Sequence, residues 1–275
     1  MKPVVALRSK TTPGRGARRL VFGRMVLVAS VSTAFAAGAV DQAAASITSA
    51  GGSKQAAATT PRQRADVTLS NETTNTTWTI ASILTVIRSR PSGNAPVLAR
   101  LRSQTPDGYL QSYILLTEHW TKSVPWVKLR IPGRPNGRVG WVPRGALDDF
   151  QRVNTEIVVN RSGPAGPNLT LYRNGRAILH APVGIGKAST PTPTGHFWVT
   201  EAFPSYDPFY GPFLLATSDY SVLSDWPGGG IIGIHGTNEP ALVPGYPSHG
   251  CIRMHNSDVL RVAAVASTGT PVLVR

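Results

Sequence analysis

The chain has 275 residues, with 28 lysines and arginines against 14 acids and a formal net charge of +14. Residues 1–64 hold ten of those cations and a single acid, so most of the excess charge precedes the part of the sequence that is patterned to fold. No basic stripe interleaved with aromatic residues follows, which argues against nucleic-acid recognition, and the milder positive charge of the remainder suits an anionic polymer.

The first 45 residues have the order of an export signal. Seven cations between Lys2 and Arg24 precede an uncharged stretch from Met25 to Val40, and Ala43-Ala44-Ala45 follow it. A basic region, an apolar region and a small-residue exit are the three parts of a secretory signal. The stretch is shorter than the roughly 20 apolar residues of a spanning helix, which favours a cleaved signal over a retained anchor. Either alternative predicts that the rest of the chain is exported.

The next segment, 46–73, is predicted to be a flexible linker, because small and polar residues dominate it without an apolar period. From 74 to 150 the sequence changes to short alternating runs separated by turn residues. The strongest signal is a hairpin in which Pro135-Asn136-Gly137 separates 126–130 from 138–142. Further strands are predicted at 83–90, 97–101 and 113–117. Five short strands so close together predict a small barrel.

The segment 153–275 is predicted to be a second β-rich domain with one or two helices. A helix is expected to begin at Asn256-Ser257-Asp258, with an apolar face that reaches Ala266. The stretch 203–230 shows no period and is predicted to be long and irregular. Strands are predicted at 155–160, 196–201, 231–235 and 271–274, with a hairpin that pairs 169–172 and 177–183.

Cys251 is the one cysteine of the chain, and an unpaired thiol in an exported domain is a liability unless it has a chemical role. It lies in Ser248-His249-Gly250-Cys251-Ile252-Arg253-Met254, sixteen residues after His235. A thiolate nucleophile needs a neighbouring base or cation. His235 ends a predicted buried strand and His249 is two residues from the thiol, and the spacing alone leaves open which of them is the base.

The other residues of this motif each have two interpretations. The amides of Gly250 and Cys251 could stabilise an oxyanion, or Gly250 could serve an ordinary turn. Ser248 could orient an imidazole or cap a turn. Arg253 could bind a substrate carboxylate as a fork, or it could pair with a local acid such as Asp258.

Two rival roles for the cysteine are weaker. A zinc site could combine it with His235, His249 and His255, but metal signatures rarely rest on one cysteine. A buried, inert cysteine is the other rival, and the histidines and arginine around the thiol argue against it.

The first predicted domain resembles a bacterial SH3-like domain. The segments Val86-Ile87-Arg88-Ser89-Arg90-Pro91 and Gly140-Trp141-Val142-Pro143 carry the resemblance, which covers about residues 78–148. Such domains often accompany wall enzymes. Trp120, Trp126 and Trp141 could therefore line a peptide-binding groove, or they could fill a small core.

The second domain resembles the L,D-transpeptidase catalytic domain, also called the YkuD domain. Ile234-His235-Gly236-Thr237-Asn238 and the segment from Ser248 to Met254 carry the resemblance, together with Gly184 to Gly186 and Thr192-Pro193-Thr194-Gly195. The resemblance covers about residues 153–275. It implies a β-sandwich with the thiol in a narrow channel under a loop, for which the candidate is 203–230 with Tyr206, Tyr210, Phe213 and Trp226.

The resemblance also implies roles for the site residues. Cys251 is the acylated nucleophile, His235 its base, and His249 and Ser248 order the site through hydrogen bonds. The amides around Gly250 and Cys251 form the oxyanion hole, and Arg253 fixes the motif or a substrate carboxylate. Thr237, Tyr210 and Trp226 complete the expected substrate contacts. No metal and no organic cofactor is expected.

The implied reaction is transfer of a peptidoglycan stem tetrapeptide to the thiol with release of D-alanine. An amine of a second stem then attacks the thioester and forms a 3→3 cross-link. Hydrolysis by water, as in an L,D-carboxypeptidase, stays open, and so does an inactive wall-binding protein. Carbapenem-type β-lactams are the expected inhibitors. The expected location is the cell wall, the periplasm or the outer face of the cytoplasmic membrane, with membrane contact only through the N-terminal segment.

Overall fold

Two β-sheets hold nearly all the regular structure in the computed structural model, which describes residues 64–105, 108–122, 124–225 and 227–275. The predicted leader at 1–45 and most of the predicted linker lie outside these residues, as does Trp226. Among the helices of the described residues, none is long and apolar enough to cross a membrane.

The first sheet contains eight strands, of which β7 alternates most clearly between buried and partly buried side chains. Their hydrogen-bonded order is β4-β3-β7-β6-β5-β2-β8, with β1 paired to β5. Residues on the inner face, such as Ile87, Leu115 and Val142, are fully buried and form a separate hydrophobic core. The strands are β1 (Val67–Thr68), β2 (Thr76–Ile80), β3 (Val86–Arg88), β4 (Val97–Arg100), β5 (Ser112–Thr121), β6 (Val124–Arg130), β7 (Val139–Pro143) and β8 (Gln151–Val153).

All five strands predicted in this region are present, as β3 to β7, and a closed SH3-like barrel stays a prediction. The sheet begins earlier than expected, because Val67 and Thr68 of the predicted linker pair with β5. Ser70 follows them, and its hydroxyl accepts a hydrogen bond from the amide of Thr77 at 2.8 Å. Backbone pairing and hydroxyl contacts order this segment. Because apolar side chains do not, the sequence shows no apolar period that would predict the strand. Of the three tryptophans, Trp126 is buried, whereas Trp120 and Trp141 are half-buried.

The second sheet contains ten strands in the order β11-β10-β9-β18-β13-β14-β15-β17-β12-β16. One helix, α1 (Asn256–Ala263), packs Val259 and Val262 into the core of this sheet. The strands are β9 (Thr155–Asn160), β10 (Asn168–Arg173), β11 (Arg176–Pro182), β12 (Gly184–Gly186), β13 (Gly195–Pro204), β14 (Phe213–Tyr220), β15 (Ile231–His235), β16 (Gly245–Ser248), β17 (Ile252–Arg253) and β18 (Pro271–Val274). The mostly β fold is therefore confirmed.

The prediction of an irregular stretch at 203–230 is wrong for its central part. Phe213–Tyr220 is β14, which pairs with both β13 and β15. Its register with β15 shifts between Ala216 and Tyr220, and Thr217, Ser218 and Asp219 are all buried. Consecutive buried polar residues at a register shift conceal the alternation by which a strand is recognised. Only the turn before β14 and the segment after it are irregular.

The two sheets are joined by specific polar contacts. Within the interface, the buried indole Nε1 of Trp198 on β13 donates to Ser112 Oγ on β5 at 3.0 Å. Arg134, in the loop between β6 and β7, donates to the carbonyls of Ser221, Leu223 and Gly229 at 2.6 to 3.2 Å. These three acceptors lie in the segment that follows β14, so the first sheet anchors a loop of the second.

Candidate active site

Parallel pairing of β15 with β17 brings the two sequence motifs together. Ile234 pairs with Ile252 and His235 with Arg253, so Cys251, which directly precedes β17, lies beside Gly233. The amide of Gly233 donates to Cys251 Sγ at 3.4 Å. A separation of sixteen residues in sequence thus becomes a contact between neighbouring strands.

The turn that carries Cys251 is held by hydroxyl groups. Ser248 Oγ accepts from the amide of Gly250 at 3.1 Å and donates to the carbonyl of Cys251 at 2.6 Å. Ser248 therefore caps the turn. The Gly250 amide is already engaged, so in this structure it is not a donor for the predicted oxyanion hole. Gly250 has φ +127°, and a Cβ there would approach Ile232 Cδ1 to 2.5 Å, so the turn requires glycine.

A second hydroxyl supports the same turn from the Thr192-Pro193-Thr194-Gly195 segment. Thr192 Oγ1 donates to the carbonyl of Gly250 at 2.7 Å and accepts from the amide of Gly186 at 2.9 Å. Thr192 is fully buried. The upstream motif therefore acts by fixing the turn that presents the thiol.

His235 is buried, and its hydrogen bonds define its tautomer. Nδ1 lies 2.6 Å from the carbonyl of Gly236, which can only accept, so Nδ1 carries the proton. The other nitrogen, Nε2, is then an acceptor, and it has no hydrogen-bond partner among the described residues. His235 and Cys251 line the same cleft. The cleft of the thiol therefore also contains a neutral imidazole with an acceptor nitrogen that is not engaged.

Burial keeps both groups uncharged at rest. It lowers the pKa of His235 to about 4, although the Gly236 carbonyl opposes the shift. It also raises the pKa of the Cys251 thiol, although the amide of Gly233 opposes that shift. The resting pair is therefore thiol and neutral imidazole, and the proton has to transfer as the sulfur attacks.

Aromatic rings from the turn before β14 cover His235. The ring of Tyr210 meets the imidazole edge-on at 5.0 Å between centroids, and the ring of Phe209 lies at 6.1 Å. Burial first, and then the nearby Cys251, raise the pKa of the Tyr210 hydroxyl. Tyr210 therefore offers a protonated hydroxyl in the cleft. Tyr206, expected in the same loop, is 97% exposed and lies away from this cover.

Arg253 is buried and forms an ion pair, but its partner is not the one considered from the sequence. Its Nη1 lies 2.7 Å from Glu239 Oε2, whereas Asp258 contacts Arg261. The Arg253 guanidinium also lies 4.8 Å from the ring centroid of Phe209. Because the Glu239 side chain is half exposed, a substrate carboxylate could exchange with it on Arg253.

A buried carboxyl near the thiol was not identified from the sequence. Thr217 Oγ1 contacts both the carbonyl of Ile232 at 2.7 Å and Asp219 Oδ1. The Thr217 hydroxyl is the donor in both contacts, and its hydrogen bond to Asp219 partly opposes the effect of burial on the pKa of that carboxyl. Burial raises the pKa of Asp219 to about 7 and its charge disfavours the thiolate of Cys251. A run of buried polar residues within β14 would have been the sequence signal.

The thiol cleft has a volume of about 420 Å³. The predicted site residues that line it are Ser248, His249, Cys251, His235, Arg253 and Tyr210. His249 also accepts a hydrogen bond from Ser221 Oγ at its carbonyl, at 2.8 Å. Thr237, expected to touch substrate, is instead buried below the cleft, where its amide donates to Asn256 Oδ1 at 2.8 Å. Trp226 lies outside the described residues.

No group of three or more His, Cys, Asp and Glu side chains within 64–275, its undescribed positions aside, is arranged to hold a metal ion. His255, the fourth member of the zinc alternative, is the N-cap residue of α1. The arrangement around Cys251 is thus one of a thiol with a base and a nearby protonated hydroxyl, which is suited to attack on a carbonyl.

Comparison with protein families finds a match to the residues of the second sheet. Residues 154–274 match the family model described as the YkuD L,D-transpeptidase catalytic domain. A Bacillus subtilis protein with the provisional name L,D-transpeptidase YkuD is 37% identical over 106 residues, which are 38% of this chain and 58% of that protein. Its Bacillus licheniformis counterpart is 36% identical over 107 residues, which are 39% of this chain and 59% of that protein. The matches thus span less than two thirds of these relatives.

Solved structures give weaker likenesses. A mutant of the Enterococcus faecium L,D-transpeptidase is 24% identical with a TM-score of 0.36, over 44% of this chain and 49% of that chain. A Mycobacterium tuberculosis L,D-transpeptidase 3 in complex with a faropenem-derived adduct is 16% identical with a TM-score of 0.38, over 55% of this chain and 91% of that chain. The family match of 154–274 therefore rests on sequence.

Proposed function

We propose, because residues 154–274 match the L,D-transpeptidase catalytic-domain family model, that the chain transfers a peptidoglycan stem peptide through a thioester on Cys251. The observation that carries the proposal is the tautomer of His235. Its Nδ1 donates to Gly236 O and its Nε2 is an unpartnered acceptor in the cleft of the thiol. An acceptor nitrogen in the same cleft as a protonated thiol is what general-base activation of a nucleophile requires.

In the first half of the reaction, Cys251 attacks the carbonyl of the third residue of a stem tetrapeptide. Its proton passes to His235 Nε2 as the carbon–sulfur bond forms. The tetrahedral intermediate collapses when the same proton is returned to the departing amine of D-alanine. The products are free D-alanine and a thioester on Cys251, and His235 is again neutral.

In the second half, a side-chain amine of another stem attacks the thioester carbonyl. The amine loses a proton to His235, the carbon–sulfur bond breaks, and the sulfur recovers that proton. The new amide is a 3→3 cross-link. The amide of Cys251 and the hydroxyl of Tyr210 are the candidate donors to the oxyanion in both halves, since the Gly250 amide is bonded to Ser248.

The test is to incubate the full chain with a disaccharide-tetrapeptide and to identify the products by mass spectrometry. A dimer that lacks one D-alanine is the expected product. A tripeptide without dimer would replace the proposal with hydrolysis, in which water takes the place of the amine. If no D-alanine is released and no substrate is consumed, the chain is an inactive wall-binding protein. A carbapenem-type β-lactam should add covalently to Cys251, as an acylating mimic of the stem.

Two further parts of the proposal concern the rest of the chain. Residues 1–45 export the protein, which acts at the cell wall, in the periplasm or at the outer face of the cytoplasmic membrane. The first sheet is an SH3-like module that orients peptide strands near the thiol. The order of the N-terminal residues supports export, and the contacts of Arg134 with the second sheet support a fixed module.

A further inference from the structure

A second cleft lies between the two sheets, next to the thiol cleft. Its volume is about 660 Å³, within the range of sites that hold peptide-sized ligands. The first sheet lines it with Trp78 and Ile80 of β2 and with Tyr109 and Leu110 from the segment before β5. The second sheet lines it with the end of β13. We call it the interdomain cleft.

The two clefts adjoin and have part of their lining in common. Tyr109, Glu201 and Phe203 line both of them. The rings of Tyr109 and Phe203 stack with 5.8 Å between centroids and 7° between planes, although one comes from each sheet. A ligand in the interdomain cleft that extends past this aromatic pair therefore enters the space in front of Cys251.

The interdomain cleft is built into the interface of the sheets. Ser112 lines it and accepts the buried hydrogen bond from Trp198 Nε1. Trp78 lines it and packs so closely on Gly269 that a Cβ there would approach the indole to 2.1 Å. The hydrogen bonds of Arg134 connect the same two sheets at a third place, in addition to the contacts of Ser112 and Trp78. The walls are thus fixed before any ligand arrives.

The lining of the interdomain cleft selects a chemical class of ligand. Its accessible surface is mainly apolar, and Asp148, Asp149 and Glu201 add carboxylates. Among the described residues that line it there is no lysine or arginine. An extended peptide with an ammonium group has the complementary charge and shape, whereas a carboxylate-rich strand meets repulsion.

We propose that the interdomain cleft binds the acceptor, a second peptide stem whose side-chain amine reaches the thioester past Tyr109 and Phe203. This inference rests on the proposed function, because the acceptor has a role only once a thioester has formed. The donor stem uses the thiol cleft, which lies within the second sheet apart from Tyr109. The first sheet thus helps to determine whether an amine or water attacks the thioester.

The first test separates acylation from transfer in the full chain. Leu110→Ala removes an exposed apolar side chain that lines the interdomain cleft but not the thiol cleft, and Asp148→Asn with Asp149→Asn removes two charges. Each should raise the acceptor concentration for half-maximal cross-linking about tenfold, the loss expected for one apolar or charged contact. The rate of β-lactam acylation should stay within about twofold, since Cys251 and His235 are untouched. Ile83→Ala, at a 60% exposed residue outside the lining, is the matched control.

Equal losses of acylation and cross-linking would overturn the inference, and so would unchanged values for both. The second test does not depend on catalysis. A short synthetic peptide with a free side-chain amine is titrated against the Cys251→Ala chain while the fluorescence of Trp78 is followed, with Trp78→Phe to identify its signal. The peptide should shift the signal, and the same peptide with its amine acetylated should bind about tenfold more weakly.

The two proposals fail in different ways. Without a thioester in the wild-type chain the proposed function fails, whereas peptide binding to the Cys251→Ala chain would still report on the interdomain cleft. Equal binding of the free and the acetylated peptide, or no binding of either, would refute the acceptor site even if the chain forms dimers.

Discussion

The thiol cleft and the interdomain cleft are built in different ways. The thiol cleft takes its reactive groups from neighbouring strands β15 and β17 and from the turn before β17. The interdomain cleft takes its walls from both sheets and holds no nucleophile. The positions of the reactive groups, Cys251 and His235, are thus determined by strand pairing within one sheet. The proposed site for a second substrate depends instead on how the two sheets pack against each other. Five predictions test this division.

The largest effect is expected for Cys251→Ala. Acylation and D-alanine release should fall roughly 10⁴-fold or more, since no other described side chain in the thiol cleft replaces the nucleophile. Peptide binding in the interdomain cleft should persist. Mass spectrometry of the β-lactam-treated chain and the fluorescence titration measure the two results. Residual acylation of this variant would remove Cys251 from the mechanism.

The next effect distinguishes the two histidines. His235→Ala should lower acylation about 10²- to 10⁴-fold, because the variant loses the acceptor nitrogen that takes the thiol proton. His249→Ala should cost much less, since the proposed proton transfer uses His235 and the hydrogen bond from Ser221 is accepted by the backbone carbonyl of residue 249, which the variant retains. Thiol alkylation and β-lactam acylation are measured for both variants. A larger loss for His249→Ala would reverse the assignment of the base.

An intermediate effect is expected at the contact between the sheets. Arg134→Ala removes four hydrogen bonds to the carbonyls of Ser221, Leu223 and Gly229, and Ser221 and Gly228 line the thiol cleft. We expect kcat to fall about tenfold, because the loop that faces the thiol loosens. Arg134→Lys should recover part of the loss. Arg138→Ala, in the same hairpin but bonded to Leu98, is the control.

An unchanged kcat for Arg134→Ala with an intact fold would show that the second sheet orders its own loop. Equal losses for Arg134→Ala and Arg138→Ala would instead indicate general damage to the first sheet. Either result would show how far the thiol cleft depends on the first sheet.

The smallest effect is a dependence on pH at Asp219. Its pKa in the folded protein, about 7, lies above the ordinary 3.8, so the folded state binds its proton more tightly. The free energy of unfolding should therefore fall as pH rises from about 4 to about 7 and then level off. Asp219→Asn should flatten this part of the profile, as measured by urea denaturation. An identical slope in both proteins would contradict a protonated Asp219.

At low pH the acylation activity should change with pH in the opposite direction to the free energy of unfolding. His235 accepts a proton only when neutral, and its pKa is lowered to about 4. Acylation should therefore be retained down to about pH 4 and be lost below it. Above about pH 7, ionised Asp219 disfavours the thiolate, so activity should decline in the wild type but less in Asp219→Asn.

The sequence by itself determined the mostly β fold, the strands 155–160, 231–235 and 271–274, and the motif around Cys251. Local patterns decide these features, since alternation, turn residues and a fixed motif spacing are all visible along the chain. It also predicted His235 as the base through the family resemblance, although spacing alone left His249 open. The structure adds the hydrogen bond to Gly236, which leaves Nε2 of His235 as an acceptor, and the role of base stays a prediction.

Other features were decided by tertiary structure alone. The strand Phe213–Tyr220, the Glu239 partner of Arg253, the buried Asp219 and the engaged amide of Gly250 depend on which segments meet across the sheets. The interdomain cleft is the extreme case, because Tyr109 and Phe203 are 94 residues apart and neither belongs to a motif. Contacts between distant segments depend on how side chains pack in three dimensions. Such packing produces no periodic pattern along the sequence from which the contacts could be predicted.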